Sequence, residues 1–309
     1  MTHKRRMEIA LDRGIPDRVP TTELEFQLPE LLCGKKFLCE DDLKGKTQKE
    51  IDYLIDENVD YMLEVYGKLD YDAFGIHYLS DEHVMQSARR VRQVSGDEYM
   101  IFTNADGTFA LPDGDGMYDF AYRMMDDPQS LHDEAERGCL WAIDRNRKLV
   151  EAGFDCLILC SDYCFNNGPF LSPKKFAEYI TPYLYRIVED GRKNGAYVIK
   201  HTDGNIMPII DQMVSCHPHA LHSIDPMAGV DIKEVKEKYG DQVALCGNVN
   251  CALMQTGTEE EIRESARYAL KYAKPGGGYV YCTSNIPFRG LPLERYQIVL
   301  DEWKKGRDY

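Results

Sequence analysis

The residues best suited to chemistry sit in Tyr197-Val-Ile-Lys-His201-Thr-Asp203-Gly-Asn205, an apolar run that ends abruptly in an imidazole, a carboxylate and a glycine. Tyr197, Val198 and Ile199 in succession favour a buried strand over a helix. Gly204 permits a sharp exit, which leaves His201 and Asp203 at the strand's mouth. Positions i and i+2 of a strand share a face, so the two side chains can converge on one small ligand, and a metal ion suits a nitrogen and an oxygen donor. The candidate for a third ligand is Cys282, which ends the apolar stretch Tyr279-Val-Tyr-Cys282. Further polar residues fall at the ends of other apolar runs: Asp162 with Tyr163, Asp225, and Asn248 with Asn250.

The elements that must position these groups follow a regular alternation. A helix near 4–12 and the rigid turn Pro16-Asp-Arg-Val-Pro20 lead into 21–26, which alternates as a strand does and puts Glu23 and Glu25 on one face. Two carboxylates on one face require a cation to meet them, or an exposed edge. A charged helical stretch over 40–66 precedes a second strand, 71–77, whose His77 reads as an ordinary core or surface group. Strong alternation over 91–111, with Gly96-Asp97 and Asp106-Gly107 as turns, predicts a β-hairpin insertion beside the pocket. Strand and helix then alternate: helix 128–152, strand 155–162, a helix capped by Ser172 and started by Pro173, strand 197–201, helix 207–214, strand 220–225, helix 230–239, strand 243–248, helix 259–272, strand 279–282 and a last helix beyond Pro292.

Strands that are apolar throughout indicate a parallel sheet covered on both faces. A (βα)8 TIM barrel over residues 1–309 as one domain is the expected fold, with the eighth strand unplaced. The polar residues named above all fall at the carboxyl ends of strands, where barrel enzymes carry their chemistry. No Gly-x-Gly-x-x-Gly turn follows the first strand, and no phosphate-binding Gly-x-x-x-x-Gly-Lys-Ser/Thr occurs.

Composition narrows the partners. With 52 acidic and 37 basic residues the formal charge is −15, which argues against nucleic acid or an anionic membrane as the main partner. No run is apolar enough to span a bilayer and no signal-peptide core follows the basic N-terminus, so a cytoplasmic enzyme is expected. The ten cysteines are scattered singly, unlike a secreted disulfide scaffold.

Pro16-Asp-Arg-Val-Pro20, Gly168-Pro-Phe-Leu-Ser-Pro173, His201-x-Asp-Gly-Asn205, Gly247-Asn248, and Cys282 followed by Pro287 resemble, in order and spacing, the uroporphyrinogen decarboxylase superfamily. That resemblance implies a (βα)8 barrel and one of two activities: decarboxylation in the haem pathway, or zinc-dependent methyl transfer with corrinoid proteins. The decarboxylases hold their anionic tetrapyrrole with an Arg-Gln-Ala-Gly-Arg segment near the N-terminus, and nothing like it occurs between Val19 and Lys44. The methyltransferases carry His-x-Cys and a later Cys as zinc ligands. His201 and Cys282 match two of these positions, and Asp203 stands where the first cysteine would be.

Three ligands, His201, Asp203 and Cys282, with Glu23 or Glu25 as an additional one, would leave zinc an open position. Oxygen in place of thiolate would make it a better Lewis acid toward oxygen, which favours an O-methyl ether such as a methoxylated aromatic over a thiol. Asp162 and Asp203 are the expected catalytic carboxylates, and Asp162, Tyr163, Asn248 and Asn250 the expected substrate-binding residues. The chain lacks the Asp-x-His-x-x-Gly signature of cobalamin domains, so the cobalamin is expected on a separate corrinoid protein that docks over the barrel mouth. The competing expectations are a metal-free decarboxylase-like lyase acting on a porphyrinogen or other carboxylated substrate and a non-catalytic binding barrel.

Overall fold

The computed structural model describes residues 1–309. In chain order the strands are β1 (Ala73–Gly75), β2 (Met100–Asn104), β3 (Cys156–Leu159), β4 (Cys164–Phe165), β5 (Gly168–Pro169), β6 (Tyr197–His201), β7 (Ala220–Ser223), β8 (Ala244–Val249) and β9 (Tyr279–Thr283). Seven of them form one sheet in the order β1-β2-β3-β6-β7-β8-β9, parallel throughout. The other two, β4 and β5, make a small antiparallel hairpin above it.

The sheet curls until its two edges reach the same short stretch of chain. The Tyr281 N–H donates to the Pro20 carbonyl at 2.9 Å and the Asp72 N–H to the Thr21 carbonyl at 2.8 Å. The Thr22 hydroxyl donates to the Ala73 carbonyl at 2.7 Å. Residues 20–22 thus stand between β9 and β1. The strand expected over 21–26 is reduced to one bridge, Thr21 opposite Tyr281, and Glu23 and Glu25 do not share a strand face.

Both faces of the sheet are dry, which explains why its strands read as unbroken apolar runs. Ile199, Ile158, Cys246 and Cys282 point inward, and Met7, Ala10 and Leu11 of the first helix, α1 (His3–Leu11), join them from below as a plug. Val198, Leu157 and Leu221 point outward against the helices, within a cluster of 65 buried residues.

The hairpin expected over 91–111 is absent. Residues 81–95 form a helix ended by Gly96 (φ +57°), whose N–H caps the Arg92 carbonyl, and Met100–Asn104 is a parallel strand between β1 and β3. Gly96-Asp97 is therefore a helix stop. Asp106-Gly107 is a turn closed by the Asp106 carboxylate, which accepts from the Gly107 and Thr108 N–H groups. An unexpected helix, Gly116–Asp126, follows it. Elsewhere the expected helices and strands recur with shifts of a few residues at their ends, except that the helix expected over 40–66 begins only at Gln48, after a separate short turn of helix at Glu40–Leu43. Ser172 caps the helix begun by Pro173, which breaks at Ile180 and resumes at Thr181. No helix is long and apolar enough to cross a membrane.

Candidate metal centre

His201 closes β6 with its side chain inside the curl, and the chain turns out at once through Gly204. At φ +85° a Cβ on Gly204 would lie 2.6 Å from the Cys164 carbonyl oxygen, so the glycine lets the β4–β5 hairpin press against the turn. That turn swings Asp203 back over the strand end, and the loop after β3 brings Asp162 to the same point. One donor atom each from Asp162, His201 and Asp203 lies within 4.8 Å of the others. The His201 Nε2 is 3.9 Å from Asp162 Oδ1 and 3.8 Å from Asp203 Oδ1. Those separations are too long for hydrogen bonds. They are about the spacing of ligands that each bind one ion at ~2.0–2.2 Å.

The electrostatics favour a cation. Burial pushes the Asp203 carboxyl up to about 6, against a hydrogen bond from Ser223, and the charges of Asp162 and Asp225 add to the rise. No Lys or Arg lies within ion-pairing reach of Asp162 or Asp203, and the one ionisable nitrogen at that range is that of His201. Burial, then the charge of Lys200, drive His201 down to about 3, so its imidazole is neutral and able to ligate. The carboxylates are held in place: Ser223 donates to Asp203 Oδ1 at 2.8 Å, Asn285 to its Oδ2, and the Asp203 N–H to Asp162 Oδ1 at 2.9 Å. The Asp162 and Asp203 side chains keep 42% and 33% exposure, so the group opens to solvent on its carboxylate side.

Cys282 is not in this group, which corrects the expected ligand set. Between it and His201 stands His222. The Nδ1 atoms of the two histidines are 2.8 Å apart, and His222 Nε2 is 3.5 Å from the Cys282 sulfur. Burial pushes the Cys282 thiol well up, and burial followed by His201 pushes His222 well down. With both rings neutral, the direction of the hydrogen bonds is determined by whichever nitrogen of His201 bears the lone pair. For Nε2 to ligate, Nδ1–H must donate to His222 Nδ1, and His222 Nε2–H then points at the Cys282 sulfur. His222 is the residue the sequence reading overlooked. Its Cα pairs with that of His201 across the β6–β7 ladder, a register that residue types alone do not reveal.

The remaining expected site residues divide. Glu23 is buried and accepts from the Thr283 N–H and hydroxyl and from the Tyr296 hydroxyl, apart from the cluster. Glu25 accepts from Gln27, also apart from it. Tyr163 is wholly buried, with its hydroxyl 2.6 Å from that of Thr108 and Lys200 above its ring, so it is a core residue. Asn248 donates to the Ile224 carbonyl at 2.8 Å and lines a cavity of about 280 Å³ with Pro226, Asp231, Ser265 and Tyr268. Asn250 closes a turn onto Ala252.

A parallel α/β sheet with an imidazole and two carboxylates gathered at its carboxyl ends defines the class as one of the barrel-related folds that carry chemistry at that end. Within that class the chain belongs to the uroporphyrinogen decarboxylase (URO-D) family, whose pattern it matches over residues 70–305. It is 26% identical over 161 residues to the uroporphyrinogen decarboxylase of Pseudoalteromonas translucida, covering 50% of this chain and 42% of that protein. It is 22% identical over 253 residues to that of Photobacterium profundum, 76% of this chain and 67% of that one. The chain thus spans about two fifths of the length of the first of these relatives. A methyltransferase from Methanosarcina mazei shares the fold with a TM-score of 0.75 over 99% of both chains, at 17% identity.

Proposed function

We propose that the protein is a zinc-dependent methyltransferase that moves a methyl group between a small substrate, most simply an O-methyl ether, and a corrinoid carried by a separate protein. The observation that carries this reading is the grouping of Asp162, His201 and Asp203, with donor atoms at ligand spacing and no protein cation to neutralise them. The fold shared with a methyltransferase supports it. Asp162, His201 and Asp203 would hold the zinc, which would supply Lewis acidity toward an ether oxygen and so make that oxygen a better leaving group from the methyl carbon that a reduced corrinoid would accept. The protein supplies the orientation. Ser223 and Asn285 fix Asp203, the Asp203 N–H fixes Asp162, and His222 accepts the His201 Nδ1 proton so that Nε2 presents its lone pair. An N,O,O donor set is harder than the His/Cys/Cys set of the methyltransferase branch, which favours an oxygen-bearing substrate.

The curated relatives carry the name decarboxylase, which makes that activity the second reading. Two carboxylates facing solvent at the strand ends are a poor cradle for a polyanionic tetrapyrrole. Elemental analysis of protein purified without added metal should give about one zinc per chain, lost in Asp203→Asn and His201→Gln. Incubation with a methoxylated aromatic and a reduced corrinoid protein should release the free phenol. Zinc-free wild type that liberates carbon dioxide from a porphyrinogen would overturn the proposal in favour of the decarboxylase.

A further inference from the structure

The opposite, amino-terminal side of the sheet carries a cavity of about 560 Å³, in the size range of small-molecule sites. Four separate connections build it. Arg13 follows the plug helix α1, Arg192 and Lys193 end the helix that leads into β6, His217 precedes β7, and Gln242 precedes β8. One carboxylate lines it, that of Glu189, and it is paired with Lys193 at 3.0 Å. Neither arginine has a carboxylate within ion-pairing reach, in a chain whose net charge is −15 and where most other arginines are paired.

Each guanidinium is instead anchored by a single backbone contact. Arg192 Nη1 donates to the His217 carbonyl at 3.1 Å, and Arg13 Nη1 donates to the Gln242 carbonyl at 3.3 Å. The Nη2 and Nε donors of both forks remain unspent, the arrangement that recognises tetrahedral or planar oxyanions. Both charges bear on one neighbouring ring: burial, then Arg192 and Arg13, drive His219 down to about 3, so it adds no proton of its own.

We propose that this cavity binds a small phosphate-bearing molecule, gripped between Arg13 and Arg192, with the exposed ring of Tyr185 beside the space for an organic body. Such a ligand would tie the plug helix to the turns that enter β6, β7 and β8, and so would stabilise the floor on which the carboxyl-end site stands. This inference is independent of the metal centre.

Calorimetric titration and thermal unfolding of the full chain, at constant ionic strength set with chloride, test it with three probes: inorganic phosphate, adenosine monophosphate and citrate. Phosphate should bind and raise the melting temperature by about 2 °C or more when saturating, and the nucleotide should bind more tightly. Arg13→Gln/Arg192→Gln should abolish both effects, whereas Arg137→Gln, which removes an unpaired arginine elsewhere, should leave them intact. If the double variant does not fold, Arg13→Lys/Arg192→Lys, which keeps the charge and loses the fork, should weaken phosphate binding about tenfold. Failure of phosphate to bind wild type, equal binding by the arginine variants, or binding of citrate alone would overturn the assignment.

Discussion

Lys200 and His201 are adjacent on one strand, yet the protein treats the charges around them in opposite ways. Lys200 points outward and is wholly buried, with its ammonium donating to Asp106 Oδ2 at 2.9 Å, to the Ser161 carbonyl at 2.8 Å and to the Leu159 carbonyl at 3.2 Å, while its fourth side lies over the Tyr163 ring. Burial opposes ionisation of Asp106, but the Lys200 charge and hydrogen bond, with the Thr108 and Ser161 N–H groups, outweigh it and hold the carboxyl below its usual range. His201 points inward beside two carboxylates that meet no cation. A buried carboxylate next to a lysine with every donor spent is a structural joint. Carboxylates held rigidly, without a protein cation and open to solvent, have the geometry to take a ligand's charge. Both sit at the end of β6, so proximity to the strand end alone does not identify a site, and the completeness of charge pairing does.

Breaking the joint should have the largest effect. Lys200→Met leaves Asp106 buried without its cation, and removal of one partner of such a pair costs about 3–5 kcal/mol. Urea unfolding should show a loss of that size whether or not zinc is present. A loss under about 1 kcal/mol would mean that the pair is not the joint described here.

Glu23 extends the comparison with a third way of burying a carboxyl, as the neutral acid. Burial raises it to about 8 against the hydrogen bonds from Thr283 and Tyr296. Its folded value exceeds the unfolded one, so its contribution to stability is fully present below about pH 4.5 and is lost as pH rises through about 8. The loss across that window should be a few kcal/mol. Glu23→Gln should abolish this part of the pH dependence, and parallel stability profiles for variant and wild type between these limits would count against a neutral Glu23.

The Asp162–His201–Asp203 group predicts the reverse of the joint. Asp203→Asn removes a carboxylate that repels Asp162 and Asp225, so the metal-free protein should unfold at equal or slightly higher denaturant, within about 1 kcal/mol. The same variant should lose the thermal stabilisation that zinc gives wild type. Destabilisation of the metal-free Asp203→Asn protein as large as that of Lys200→Met would erase the distinction between the two regions.

How much of this was legible in the sequence follows from the range of each interaction. The convergence of His201 and Asp203 needed a strand that ends at His201 and the turn through Gly204 that brings Asp203 back over it, both local. The parallel sheet was legible in strands apolar on both faces. The hairpin expectation over 91–111 failed because Gly96 serves a helix end and Asp106 a turn, and alternation alone does not separate those from strand turns. Asp162 was recognisable as a strand-end carboxylate, but its place in the ligand group depends on how the β4–β5 hairpin folds the loop back. The role of Cys282 depended on strand order. β6 and β9 are separated by β7 and β8, and His222, on β7, fills the interior between the thiol and His201.

That misplacement gives the most discriminating, and smallest, expected effect. If Cys282 ends a hydrogen-bonded line that starts at His201 Nδ1, Cys282→Ser preserves an acceptor for the His222 Nε2–H and removes no ligand. Zinc content should stay at about one per chain, with stability lowered by about 1 kcal/mol. His222→Phe is different, because it strips His201 Nδ1–H of its acceptor and frees the imidazole to turn or to take the wrong tautomer. Loss of such a supporting partner weakens metal binding about 10–100-fold, which competition against a chromophoric chelator would resolve. Zinc lost from Cys282→Ser as completely as from His201→Gln would return the thiol to the coordination sphere and require His222 to swing aside when metal binds. Zinc retained in Cys282→Ser but weakened in His222→Phe would establish that the ion is held by oxygen and nitrogen alone, with the cysteine two hydrogen bonds behind it.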